Sequence, residues 1–209
     1  MRRPVLVALC LLGASGFVLQ AQFVDFGAQL TLAKPTMDLE GGTWIRGRSA
    51  LGFGLRLPCY FDRNQALVPR LDVLNIKAGP VAILNGATSD RNYTALAKVR
   101  LVSLGVDYDY YLSGRPEDGP YLGCGLGLSQ ADFQNAQLLP GGYGPPLPDG
   151  AWPVDQTKKA VQYALQAGWK LDEHLAVEAR YTQSDFKSVG TPGTLVKAPV
   201  FSFSIVVEF

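Results

Sequence analysis

Ten charged residues fall in the same phase of a two-residue repeat as small and polar neighbours: Asp25, Arg56, Arg70, Asp72, Asp107, Asp109, Lys170, Glu178, Arg180 and Glu208. Mixed acids and bases confined to a narrow interior must pair, because a charge left alone away from bulk water is costly. Two chemistries suit such a set: a plug of salt bridges, or a gated polar path for solutes. Strand order sets Arg56 beside Asp72, and Arg70 beside Asp107 or Asp109. Catalysis has thinner support. The single histidine, His174, sits in a short Asp172-Glu173-His174 segment that reads as an exposed turn. The chain has no His/Cys cluster with metal-ligand spacing, no Gly-x-Ser-x-Gly elbow and no phosphate-binding glycine loop. No metal and no cofactor are therefore expected. Gly123, Gly125 and Gly127 alternate along one strand, where they relieve crowding on an inner face rather than cradle phosphate.

The elements that would position these charges are strands. Period-two alternation runs through nearly the whole chain. Val24, Phe26, Ala28, Leu30 and Leu32 alternate with polar or tiny residues, as do Leu51, Phe53, Leu55 and Leu57. The same holds for Leu104 to Tyr110, Leu122 to Leu128, Val161 to Trp169, Leu175 to Tyr181 and Phe201 to Phe209. An eighth strand, near Val68–Ala78, is blurred, since Leu71 and Val73 are in one phase and Leu74 and Ile76 in the other. A β-bulge near Val73-Leu74 would reconcile them.

A soluble sandwich or barrel also alternates, but it fills its interior with large apolar side chains. Here the less apolar face is Gly, Ser, Gln and charge, so the apolar face must point outward, which only lipid tolerates. Aromatics gather near the strand ends, with Tyr108, Tyr110, Trp169 and Phe209 at one rim and Tyr163, Tyr181 and Phe201 at the other, as at bilayer interfaces. Connections alternate in length: about 33–47, 79–94, 133–159 and 184–198 are long, whereas 113–119 and 172–174 are short turns. The expected fold is all-β: an eight-stranded antiparallel transmembrane β-barrel, an up-and-down meander with long loops outside.

Residues 1–21 have the order of a secretory signal peptide: Met1-Arg2-Arg3, an apolar stretch from Val5 to Leu12, then small and polar residues to Ala21. Residues 22–209 form the barrel domain. Without the leader, 17 basic residues face 18 acidic ones, and no basic excess points to nucleic acid. Cys59 and Cys124 then remain; both read as outward positions on strands that are not neighbours, so free thiols are expected rather than a disulfide.

The last strand, Phe201-Ser202-Phe203-Ser204-Ile205-Val206-Val207-Glu208-Phe209, resembles the C-terminal signature that outer-membrane barrels present to their assembly machinery. Pro120-Tyr121-Leu122-Gly123-Cys124-Gly125-Leu126-Gly127 and Leu104-Gly105-Val106-Asp107-Tyr108-Asp109-Tyr110-Tyr111 are similar to paired strands of the outer-membrane protein W and protein A superfamily. The resemblance implies an outer-membrane location, and Phe201, Phe203, Ile205, Val207 and Phe209 as the assembly signal. The implied partners are outer-membrane lipid and lipopolysaccharide, with barrel assembly machinery and periplasmic chaperones during biogenesis, around a monomer. It also implies a non-enzymatic role, structural or in passage of a small solute or hydrophobic compound. Surface adhesion through the loops is the alternative. Some small barrels modify lipid A, but they use a histidine at the outer rim, and His174 belongs to a periplasmic turn. Lys98 and Arg100 share the outward phase of Val102, Leu104 and Val106, where cations suit lipopolysaccharide phosphates. A bulge near Leu101–Ser103 would instead turn both into the lumen.

Overall fold

The computed structural model describes residues 23–39, 43–46, 49–76, 80–85, 93–140, 156–187 and 195–209. Among them are β1 (Phe23–Val24), β2 (Gly27–Leu39), β3 (Thr43–Arg46), β4 (Ala50–Arg56), β5 (Cys59–Asp62) and β6 (Gln65–Ile76). The chain continues through β7 (Pro80–Asn85), β8 (Tyr93–Tyr111), β9 (Gly119–Pro140), β10 (Gln156–Lys170), β11 (Leu175–Phe186) and β12 (Leu195–Glu208). All pairings are antiparallel, and the segments join into eight barrel strands. β1 with β2 forms the first. β4 with β5 forms the second, interrupted where Pro58 has no N–H to donate. Even there the wall holds: the Leu57 N–H donates to the Pro69 carbonyl at 2.9 Å, and the Asp25 N–H to the Pro58 carbonyl at 3.0 Å.

The barrel closes where β12 pairs with β2, from Glu208↔Gly27 through Ser204↔Thr31 to Phe201↔Lys34. Phe26 and Phe209 exchange N–H···O bonds of 3.2 and 2.8 Å at the end of this seam. Closure matters because unpaired backbone groups cost several kcal/mol each in hydrocarbon. The side chains are arranged inside out. Leu30, Leu126, Leu165 and Phe203 are 58–64% exposed on the outer wall, while Arg56, Asp109 and Glu178 inside are at most 2% exposed. The rim aromatics Tyr108, Tyr110, Trp169 and Phe209 at the turn end, and Tyr163, Tyr181 and Phe201 at the loop end, are all exposed.

Three expectations need correction. No bulge interrupts β6: its register runs unbroken against both β4 and β8. Leu74 and Ile76 point inward because the loop-end half of the lumen is lined with apolar side chains, including Ala33, Leu101, Phe186 and Val200. Much of the stretches read as loops is strand, since β2 reaches Leu39, β9 reaches Pro140, and β3 pairs with β7. Backbone ladders need no apolar alternation once they leave the bilayer, so periodicity does not register them. Cys124 is exposed, but Cys59 is buried, with its thiol 3.4 Å from the Leu57 carbonyl oxygen; both are free.

The lumen charge network

Charged residues at inward positions on six strand segments converge on one buried network. Arg56, the last residue of β4, reaches Asp109 at 3.3 Å, Glu178 at 3.1 Å and Glu208 at 3.3 Å. Arg70 of β6 reaches Asp72 at 3.1 Å, Asp107 at 2.8 Å and Glu178 at 3.1 Å. Arg180 pairs with Asp107, and Lys170 with Glu208 at 2.5 Å. The expected Arg56–Asp72 pairing does not form. In so narrow a lumen, inward side chains meet across the axis, so Arg56 finds partners on β8, β11 and β12 rather than on the adjacent β6. Asp25 lies half-buried at the turn-end mouth, in a cavity of about 230 Å³ shared with Lys170, Tyr60 and His174.

Neutral groups complete the network. Gln29 donates to Asp72 at 2.7 Å and accepts from Arg70 at 2.8 Å. Gln166 donates to Asp109 and accepts from Arg70 and Arg180. The Tyr121 hydroxyl donates to Glu178 at 3.0 Å, so Glu178 receives three donors from three strands. Below it, Tyr60, Tyr111 and Tyr121 pack with ring centroids 5.9 and 5.4 Å apart, and Lys170 donates to the Tyr60 hydroxyl at 3.1 Å. None of these neutral residues stood out in the sequence, although a signal was there. Tyr111 shares the phase of Asp107 and Asp109, and Tyr121 that of Gly123 and Gly125.

The glycines of β9 make room for the acids. A Cβ at Gly125 would run into the Asp107 carboxylate, and one at Gly123 into that of Asp109. Gly125→Ala should therefore cost about 1–3 kcal/mol, the usual range for overpacking. Urea unfolding of the purified barrel measures it, and an unchanged midpoint would mean that Asp107 is free to move aside.

The assembly-row residues and Arg100 lie on the outer wall. Phe201, Phe203, Ile205, Val207 and Phe209 are exposed there. Arg100 is exposed and outward, opposite Asp132 of β9. β8 runs in unbroken register from Lys98 to Tyr111, without the alternative bulge at Leu101–Ser103, and Val99 and Leu101 point inward. The Lys98 side chain lies outside the described residues. His174 sits at the turn end, its Nδ1 3.0 Å from the Glu208 carbonyl oxygen. Among the described residues, no three His, Cys, Asp or Glu side chains are placed to hold a metal ion.

A closed antiparallel barrel with an apolar exterior and a charge-filled lumen defines an integral β-barrel of the outer membrane. The chain belongs to the outer membrane protein beta-barrel domain family, whose sequence profile matches residues 5–209. Among solved structures it is similar to Ail, the attachment invasion locus protein of Yersinia pestis, at 10% identity over 89% of this chain and 97% of that one, with a TM-score of 0.51. Neisserial surface protein A is similar at 14% identity over 90% and 100% of the two chains, also with a TM-score of 0.51. At such identities the likeness is one of fold. No curated protein matches the sequence.

Proposed function

We propose that this protein is a non-enzymatic, monomeric structural barrel of the outer membrane whose lumen is sealed against axial passage of ions. One observation carries the reading: four cations and five acids, all but Asp72 nearly inaccessible to solvent, lock together across the lumen. An ion on the axis would have to break several charge-assisted bonds at once. Reconstituted in a planar bilayer, the wild-type protein should give no steady ion conductance, and stepwise openings at low voltage would overturn the reading. A second reading, uptake of a small hydrophobic compound from outside, has its own support. Ala33, Leu74, Leu101 and Val200 border a cavity of about 50 Å³ above Arg70 and Arg180. An adhesive role through the loop that includes 141–155 falls outside the described residues.

The same reading removes residues 1–21 on export and sets the turn end in the periplasm, since the three short turns, at 63–64, 112–118 and 171–174, and the seam end at Phe209 all lie at that end. Purified from membranes, the chain should have an intact mass starting at Gln22. Protease added to whole cells should cut between 141 and 155 and spare the 113–119 turn; the opposite pattern would invert the orientation. Lipopolysaccharide contact at Lys98 and Arg100 and delivery by chaperones and assembly machinery belong to this reading too. The exposed Arg100 at the loop end supports the first, and the outward row from Phe201 to Phe209 supports the second.

A further inference from the structure

We propose that the lumen holds a binding site for a small neutral compound carrying one hydroxyl or carbonyl group. Ser103 of β8, Gln162 of β10 and Thr182 of β11 take its oxygen, and Leu74, Leu101 and Val200 its carbon chain. All six border the cavity of about 50 Å³ above Arg70 and Arg180. Ser103, Gln162 and Thr182 are only 5–8% exposed, yet their side chains have no hydrogen-bond partner among the described residues. Buried polar groups in folded proteins are nearly always bonded. Their neighbours obey that rule: Ser129 donates to Ser184 at 2.7 Å, Thr31 and Ser204 share a bond of 2.8 Å, and Ser202 donates to the Arg180 carbonyl at 3.3 Å. Three exceptions from three strands open onto one cavity. Together they supply two hydroxyls and an amide, each able both to donate and to accept.

What surrounds the cavity selects the ligand. On the loop-end side, Leu74, Leu101 and Val200 belong to an apolar cluster that also holds Ile76 and Phe186. A charged ligand entering there would lose its water without compensation. On the other side, the network sets five acids against four cations, so a further anion adds to the surplus. A cation meets the Arg70 and Arg180 side chains that border the cavity. A neutral molecule escapes all of these costs. The volume sets the size: at about 10–15 Å³ for each water-sized group, there is room for roughly three to five non-hydrogen atoms. A three-carbon ketone or alcohol fits, with its oxygen on the polar groups and its methyl end against Leu101 and Val200. The inference deepens the second reading given above and rests on it only for entry from outside.

Three probes of one shape test it: acetone, which is neutral and polar, acetate, which is charged, and isobutene, which is apolar. Isotope-labelled full-length protein in lipid bilayers is titrated with each and read by NMR. Acetone should give saturable shifts of the Thr182, Leu101 and Val200 methyl groups, half-complete at about millimolar concentration for so small a ligand. Acetate should give none. Thr182→Val with Gln162→Met keeps the shapes and removes the hydrogen bonds; it should weaken acetone about tenfold and leave isobutene unchanged. Thr182→Ser alone should retain acetone binding. The heat-dependent gel shift shows that each variant is folded. Saturation by acetate would overturn the neutral ligand, and an equal loss of isobutene in the double variant would overturn the role of the polar groups. Two other results would overturn the site itself. One is shifts that grow without saturating, alike at the outward Leu30 and Leu126. The other is water contacts to Thr182 that acetone does not displace. Ion conductance is measured separately, so a barrel that conducts and still binds acetone refutes the seal and keeps this site, and the converse result does the opposite.

Discussion

Arg56→Ala is expected to destabilise the folded barrel by about 3–5 kcal/mol, the range for removing one partner of a buried ion pair. Arg56 faces three carboxylates, and their fates differ once it is gone. Glu178 keeps Arg70 and Tyr121, and Glu208 keeps Lys170. Asp109 retains only the Gln166 amide among its described side-chain partners, so it becomes the uncompensated buried charge. Adding Asp109→Asn to Arg56→Ala should therefore restore a large part of the loss, a coupling that a double-mutant cycle reads directly. Urea unfolding in lipid vesicles, followed by tryptophan fluorescence, measures each variant. A loss below about 1 kcal/mol, the usual value of a solvent-exposed ion pair, would mean that water reaches the network.

Deleting Phe209 should lower the amount of barrel in the outer membrane far more than it lowers the stability of the barrel that forms. The residue contributes two backbone hydrogen bonds to the seam, through Phe26, while the pairing from Gly27–Glu208 onward stays intact. Its ring is 73% exposed, so the deletion leaves no cavity and costs about 1–3 kcal/mol from the two lost bonds. The apolar row ending at Phe209 is what the assembly machinery would read, and its loss should reduce outer-membrane levels severalfold. The heat-dependent gel shift, run on outer-membrane fractions and on protein refolded in detergent, separates the two effects. Normal membrane levels would refute the signal role, and failure to refold would assign Phe209 to the barrel itself.

Period-two alternation reveals the wall of this protein from sequence, because each strand meets lipid on one face and lumen on the other. Leu122 to Leu128 against Gly123 to Gly127 needs no other information. The pattern fails where that contrast ends. At Leu74 and Ile76 the lumen itself is apolar, so both faces look alike and imitate a bulge. At the loop end, β3 and β7 pair with each other, but their sequences, Thr-Trp-Ile-Arg and Pro-Val-Ala-Ile-Leu-Asn, leave no trace in the alternation. Within the site, alternation shows which side chains point inward but not which of them meet. Arg70 and Asp107, on neighbouring strands, were legible as partners. Arg56 and Glu178 were not, because they approach across an interior whose width depends on how the whole sheet closes.

Closure is also where the account is tested most directly. Solid-state NMR on the protein in lipid bilayers should show Thr31 close to Ser204, whose hydroxyls are 2.8 Å apart across the seam. It should also show the Phe203 and Ile205 side chains in contact with acyl-chain methylenes. Absence of the Thr31–Ser204 contact, or water rather than lipid around Phe203 and Ile205, would contradict a closed barrel spanning the membrane.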